Sequence, residues 1–360
     1  MSNQKKIKVL HLITALGTGG AEKVVLDLAS QLSPHQFEVH VFAIGTMDDL
    51  LPQFQSAGLS VDIAYSKKTP WALYRTFRKI KKQIEEQQID LIHAHLFHAM
   101  VMAACLKRAL PTLKVVFTPH SVNMESYLRE LLLRWLRPFR EKDILFSSQM
   151  NRRFRKAGFA IIPNGINVEK YRLELPKEKT FTFLAIGRLS VEKNFSALIS
   201  AVESIPPSYD FQIWIAGEGA QRKELEVAIA RKKRKSEIRL LGNRSDIPQL
   251  CNQVHAFLLP SLWEGFPLVL LEAGAAALPV VSTKVGAISE LLDDTCGYLR
   301  KVDLFAQTMM QIMDDYPKAK EKGERLRQKV EQHFSSQHFI DQHQVLYHEV
   351  MGSRFRPEAE

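Results

Sequence analysis

The chain alternates short apolar runs with longer segments whose apolar positions recur at helical spacing. Residues 7–12 form the first run and 37–44 (FEVHVFAI) the second. Both are too short for a helix and rich in β-branched or aromatic residues, so they read as buried strands. Between them Val24, Val25, Leu28, Ala29 and Leu32 fall three or four apart, which predicts a helix over 21–32. The pattern continues with a helix near 48–57, a strand at 59–64, a long basic helix over 71–87, a strand at 89–94, a helix over 97–109 and a strand at 114–118. Strands near 144–147 and 160–162 lead to Pro163-Asn164-Gly165, a turn signal. This alternation is the signature of a doubly wound parallel sheet, whose ligands bind beyond the carboxyl ends of the strands.

Polar residues 167–179 read as a linker, and a second alternating series begins at 180. It predicts strands at 181–186, 211–216, 237–241, 255–259 and 279–282. The intervening helices are 194–203, 219–233, 246–252 and 268–277, with 286–292 and a last helical region from 303 after the final strand. The fold class is therefore α/β, with two Rossmann-like doubly wound domains expected over 1–166 and 167–337. A C-terminal helix at about 338–360 is a candidate to pack back on the first domain, with residues 354–360 expected to fray. A chain of 360 residues is long enough for two substantial cores.

Composition narrows the setting. Cys105, Cys251 and Cys296 are odd in number and widely spaced, which suits a reducing compartment and offers no disulfide framework. Lys5-Lys6 ahead of the run from Ile7 to Leu16 resembles a signal peptide. The run contains Lys8 and His11, however, and leads into GTGGAEK rather than a cleavage site, so a first strand is expected. No stretch approaches the roughly 18 apolar residues of a membrane span, and a cytoplasmic protein is expected. Charge is lopsided: residues 1–172 carry 25 Lys and Arg against 14 Asp and Glu, a net of +11, and the remainder nets −1. Such a first half points to a polyanionic surface.

Candidate chemistry gathers in the second half. In the stretch 257–281 (FLLPSLWEGFPLVLLEAGAAALPVV), Pro267 has the fixed φ suited to a first helical position. Glu264 then lies in the loop before the helix, with Glu272 inside it and leaning back toward its start. Free N–H groups at a helix start attract an anion, which two carboxylates would repel unless they hold hydroxyls attached to it. Two solvated glutamates are the plain alternative. Upstream, Gly187-Arg188-Leu189-Ser190-Val191-Glu192-Lys193-Asn194 closes a strand with two cations able to hold a diphosphate. Gly217-Glu218-Gly219 allows close approach of a ligand. Gly242-Asn243-Arg244-Ser245-Asp246 ends the next strand, with Asp246 a candidate N-cap. Asp48-Asp49 and Asp293-Asp294 are adjacent pairs, not a spaced Asp-x-Asp, so no metal site is expected.

On these residues the chain resembles the family-4 retaining glycosyltransferases of GT-B fold. The resemblance rests on GTGGAEK, the His-x-His at 93–95, TPHS, IPNGI, GRLSVEKN, GEG, GNRSDI and PSLWEGFPLVLLEA in that order. It implies two Rossmann-like domains facing across a cleft and a nucleotide-diphosphate sugar as donor, uridine being the commoner base. It further implies transfer with retention by front-face attack, with neither a cofactor nor an essential metal. By the same match Arg188 and Lys193 bind the donor diphosphate, Glu264 holds hydroxyls of the transferred sugar and Glu272 those of the ribose. The amides of Phe266, Pro267 and Leu268 lie near the donor, Pro267 lacking an N–H. Asn243 and Arg244 hold the base by their backbone. Gly19 and Gly20 approach the donor phosphate or acceptor, Gly217 joins the donor site, and His120 contacts the sugar near the reacting carbon. His95 is given less weight, and His93 and His98 read as structurally satisfied. Asn167, Ala277 and Ala287 depart from the family pattern, the last two where glycine is common.

The acceptor is less visible. Segment 124–137 places Leu128, Leu131, Leu132, Trp135 and Leu136 on one helical face beside Arg129, Arg134 and Arg137, with Arg140, Arg152, Arg153, Arg155 and Lys156 nearby. A basic amphipathic helix of this kind can lie on an anionic membrane; a core-packed helix with a solvated basic side is the alternative. The resemblance implies a lipid-linked or lipopolysaccharide-type glycan as acceptor, at the cytoplasmic face of the inner membrane. A sugar-nucleotide epimerase of the same architecture and a non-catalytic sugar-nucleotide-binding scaffold are the competing readings. No nucleic-acid reader motif is present.

Overall fold

A computed structural model describes residues 5–66, 69–120, 126–147 and 158–352. Contacts divide the chain into two compact units, Met1–Asn164 with His338–Glu360, and Gly165–Gln337. The elements of the first are β1 (Ile7–Ile13), α1 (Gly20–Gln31), β2 (Phe37–Ala43), α2 (Leu51–Ser56), β3 (Ser60–Ile63), α3 (Pro70–Gln87), β4 (Leu91–His95), α4 (Leu96–Ala109), β5 (Lys114–Thr118), α5 (Tyr127–Trp135), β6 (Lys142–Leu145) and β7 (Phe159–Ile161). The second unit holds β8 (Phe181–Ile186), α6 (Phe195–Ala201), β9 (Phe211–Ala216), α7 (Arg222–Ala230), β10 (Ile238–Gly242), α8 (Ile247–Gln253), β11 (Ala256–Leu259), α9 (Leu268–Ala275), β12 (Val280–Ser282), α10 (Ile288–Leu291), β13 (Tyr298–Leu299), α11 (Phe305–Asp314) and α12 (Tyr316–His333). The last helix, α13 (Ser336–Val350), belongs almost wholly to the first unit.

Each unit is built on one parallel sheet. The first has the order β3-β2-β1-β4-β5-β6-β7 and the second β10-β9-β8-β11-β12-β13. Strand order reverses between β1 and β4 and between β8 and β11, and at such switch points the loops leaving the strand ends diverge and open a crevice. The strands are apolar on both faces because helices cover both: Leu10, Leu12, Ile92 and Phe117 pack in the first core, and Phe183, Ile213 and Leu258 in the second.

Several expectations change. Residues 167–179 are not a free linker: Val168 and Tyr171 are buried, Asn252 donates to the Tyr171 carbonyl at 2.9 Å, and Lys177 donates to that of Val254 at 2.5 Å. Pro267 caps α9 instead of opening it, with ψ at 115°. That helix stops at Ala275, and Ala277 turns left-handed at φ 53°. Hydrogen bonds from Ala277 to Gly274 and from Leu278 to Ala273 close a Schellman turn there, the position where glycine is ordinarily favoured. The missing glycine is therefore a real departure in backbone strain. Sequence periodicity missed β13, because two residues carry no period. Among the described residues no helix is long and apolar enough to cross a membrane.

Candidate active site

In the second unit the loops after β8 and β11, on either side of the switch point, bring two of the predicted charges together, Lys193 and Glu264. Lys193 stands at the end of a short turn over 191–193, and its Nζ lies 2.6 Å from Oε1 of Glu264. Both side chains are largely buried. The same carboxylate oxygen accepts from Ser261 Oγ at 2.6 Å, and the Ser261 carbonyl accepts from Thr283 Oγ1 at 2.5 Å. Asn194, left-handed at φ 55°, donates to the Pro260 carbonyl at 3.1 Å, and the Leu262 N–H bonds to the Glu192 carbonyl at 2.8 Å. The two loops are thus stitched by backbone and side chain, and Glu264 is held by a cation and a hydroxyl. Arg188 is exposed and has no ion-pair partner among the described residues. Glu272 is 7% exposed and sits five residues into α9. Phe266 is buried with its ring 5.4 Å from that of Phe334, and Leu268 begins the helix.

Two glycines make this packing possible. Gly217 has φ 145°, and a Cβ there would run into the Gly187 carbonyl oxygen. What the glycine admits is therefore the neighbouring strand-end loop, not by itself a ligand. Gly286, at φ 53°, lets its loop lie against the Glu264 carbonyl, where a Cβ would collide. Sequence reasoning did not single out Gly286. Asp246 occupies the N-cap position of α8 but makes no capping hydrogen bond, because Arg244 takes both its oxygens at 2.8 and 2.5 Å. Asn243 and Arg244 are exposed beyond β10.

The first unit holds a cluster that the sequence only half revealed. His11 on β1 pairs in register with His93 on β4, and His95 lies two residues on, so all three project from one sheet face. His11 Nδ1 lies 3.1 Å from His95 Nε2, and His95 Nδ1 lies 2.9 Å from His120 Nε2. His93 meets the Tyr347 hydroxyl of α13 at 2.6 Å and Thr118 Oγ1 at 2.7 Å. Burial, with the charge of His343 second, lowers the pKa of His11 to about 3 and that of His120 to about 3. Burial likewise takes His343 to about 4 and holds His93 and His95 well below the usual range. The rings are neutral at pH 7. The reading of His93 as structurally satisfied fits its two hydroxyl partners. His98 is exposed. His120, at φ 57°, and Leu96, at φ 70°, are left-handed without being glycine, a strain that clusters at functional sites.

One group among the described residues could hold a metal ion by proximity: ring nitrogens of His11, His93 and His95 lie within 4.8 Å of one another. Both nitrogens of His93 are already engaged by hydroxyls, so the arrangement stands as a hydrogen-bonded cluster of neutral rings in which only His11 Nε2 lacks a partner among the described residues. Asp48 accepts from the Tyr65 hydroxyl at 2.9 Å, Asp293 from Thr295 N–H at 2.8 Å, and Asp294 pairs with Arg300 at 2.9 Å.

Gly19 is the N-cap of α1 and Gly20 its first residue. On α5 only Leu133 is buried; Tyr127, Leu128, Leu131, Leu132 and Trp135 are exposed, Trp135 at 77%. The core-packed alternative holds only at one end of the helix: Leu133 joins the first core and Leu136 packs against it, while the rest of the apolar side faces solvent. Arg134 is exposed, and the Arg129 guanidinium lies 5.4 Å from the Phe97 ring centre. Arg137 is spent internally, on the Arg140 and Gly158 carbonyls at 2.6 and 3.1 Å, and Arg140 is buried against Asp143. Ser121, Met124, Glu125, Arg152, Arg153, Arg155, Lys156 and residues 354–360 lie outside the described residues.

Comparison with known proteins follows the same two-part division. The model of the glycosyl transferases group 1 matches residues 167–332, and that of glycosyltransferase family 4 matches 18–170. An Escherichia coli UDP-Gal:alpha-D-GlcNAc-diphosphoundecaprenol alpha-1,3-galactosyltransferase is 25% identical over 361 residues, covering 87% of this chain and 90% of that protein. The lipopolysaccharide core biosynthesis mannosyltransferase LpsB of Rhizobium meliloti is 25% identical over 299 residues, 76% of this chain and 84% of its own. Anabaena Alr3699/HepE, solved in complex with UDP, superposes with a TM-score of 0.81 at 21% identity over 95% of this chain and 100% of that one, a likeness of fold.

Proposed function

This chain belongs to the family-4, group 1 glycosyltransferases of GT-B fold, and from that premise we propose that it moves a hexosyl or N-acetylhexosaminyl group from a UDP-sugar, with retention, to a lipid-linked or lipopolysaccharide-type glycan. The observation that carries this reading is the Lys193–Glu264 pair at the switch point, with Arg188 exposed on the same loop after β8 as Lys193. Two cations there can offset charge growing on a departing diphosphate. Glu264, held by Ser261 as well, accepts hydroxyls of the transferred sugar in this proposal, and Glu272 those of the ribose. The backbone at Asn243 and Arg244 holds the base. Gly19 and Gly20 meet phosphate or acceptor, and His120 meets the sugar. The acceptor hydroxyl attacks the anomeric carbon on the face the diphosphate leaves, and a diphosphate oxygen takes its proton. The proposed chemistry draws on side-chain cations and needs no metal or cofactor. The E. coli and Rhizobium relatives, named for an undecaprenol-linked and a lipopolysaccharide acceptor, support the acceptor class. Family membership sets the epimerase reading aside, and catalytic turnover separates an enzyme from a scaffold.

The test is a thermal-shift screen against UDP- and GDP-sugars, followed by release of the nucleoside diphosphate from the best stabiliser in EDTA. A ligand at 100 times its Kd stabilises by about 2.7 kcal/mol, so a clear rise with a UDP-sugar and metal-free turnover are expected. No stabilisation by any nucleotide sugar, or turnover that returns only with Mn²⁺, overturns the reading.

We further propose that α5 seats the protein on the anionic cytoplasmic face of the inner membrane. Its exposed Tyr127, Leu128 and Trp135 with Arg134 combine an apolar side and a cation, as interfacial helices do. Co-sedimentation with phosphatidylglycerol vesicles at low salt is expected, and the affinity should fall about 100-fold or more in a Leu128→Ser/Trp135→Ser variant, roughly the cost of two buried apolar side chains. Equal binding by the two proteins counts against it.

A further inference from the structure

The histidine cluster does more than fill the switch point of the first sheet. A neutral imidazole offers one donor and one acceptor nitrogen, so the run His11–His95–His120 can be protonated in only two ways. In one, His11 Nδ1–H donates to His95 Nε2 and His95 Nδ1–H donates to His120 Nε2. In the other, every bond reverses and His11 Nε2 carries the leftover proton. His11 Nε2 is fully buried and has no partner among the described residues. The reversed chain would bury an N–H without an acceptor, whereas the first leaves only an unfilled lone pair, and orphaned donors are the rarer case. His93 does not compete, since Tyr347 and Thr118 occupy both its nitrogens. The left-handed backbone at Leu96 and His120 brackets this run at the ends of adjacent strands β4 and β5.

We propose that His11 and His95 are positioning residues that fix the tautomer of His120, whose Nε2 accepts from His95 and whose Nδ1–H is left as the donor offered to the transferred sugar. The second half of this statement rests on the assignment of His120 to the sugar. His95, given less weight on sequence grounds, thereby becomes the middle of the chain.

Long-range ¹H–¹⁵N spectra of histidine-labelled protein read the tautomer directly, with His120 assigned by the signal lost in His120→Gln. The expected result is a protonated Nδ1 and a bare Nε2 on His120 in the unaltered protein. That state is kept in His95→Asn, whose amide can donate in place of Nδ1, and lost in His95→Phe. A His120 protonated at Nε2 in the unaltered protein overturns the proposal, as does one stoichiometric zinc that is lost in His11→Leu. Release of UDP from the most active of UDP-glucose, UDP-galactose and UDP-N-acetylglucosamine supplies the second readout. His95→Phe should lower kcat about 10- to 100-fold with KM little changed, a share of what a positioned proton donor contributes. His95→Asn should recover most of it, and His95→Phe should add nothing in a His120→Ala background. A fully active His120→Ala overturns the sugar assignment and the catalytic use of the chain, while a wrong tautomer in the spectra overturns the chain itself.

Discussion

Lys193→Ala is expected to lower release of nucleoside diphosphate by about 10²–10³-fold, the loss seen when one preorganised group facing developing charge is removed. The same substitution costs stability by a separate route. Lys193 Nζ lies 2.6 Å from Glu264, whose side chain is only 9% exposed. Without the lysine that carboxylate keeps the Ser261 hydroxyl and loses its cation. A loss of about 1–3 kcal/mol follows from leaving a charged group short of a partner. The double variant Lys193→Ala/Glu264→Gln removes the stranded charge, so it should regain part of the melting temperature and none of the turnover. Turnover within a few-fold of normal in Lys193→Ala would sink the diphosphate assignment. Recovery of turnover in the double variant would show that the single loss was one of folding.

The second large effect is expected from Gly286→Ala. At φ 53° an alanine is strained, and its Cβ meets the carbonyl oxygen of Glu264, a backbone atom that cannot swing away. Strain and overpacking together are worth about 3–5 kcal/mol, or roughly 6–20 °C for a unit of this size. Because the atom struck belongs to Glu264, the site should loosen as well, and turnover should fall even at temperatures where the variant is folded. Gly58→Ala is the control. Its φ is 74° but nothing lies within 4 Å, so only the backbone cost of about 1 kcal/mol applies. Equal melting shifts in the two variants would refute the packing argument.

The fold was legible because both sheets are parallel and covered on both faces. Their strands are uninterrupted apolar runs, and 114–118, 181–186 and 211–216 match the observed β5, β8 and β9 residue for residue. Helix ends were harder: Pro267 fits either an N-cap or a first turn, and only tertiary packing chose. The charged set Arg188, Lys193, Glu264 and Glu272 was visible by type and spacing, but the ion pair between two of them was not, since it joins loops 71 residues apart. His11 escaped for a different reason. Set in an apolar strand it looks like an interruption of the core, and its meaning depends on a neighbour 84 residues away. The α5 face stayed undecided for another reason. Helical periodicity marks an apolar side without saying whether protein covers it.

The hydroxyl of Tyr347 on α13 meets His93 on β4 across 254 residues of chain. At roughly 5–20 residues per second of synthesis, that interval lasts roughly 13–50 s. The second unit, Gly165–Gln337, is contiguous and emerges whole within it. The first sheet, although made first, must wait with its buried histidine face uncovered until the final helix leaves the ribosome. The order of completion is therefore the reverse of the order of translation, and the nascent first half is the stretch that needs shelter from aggregation.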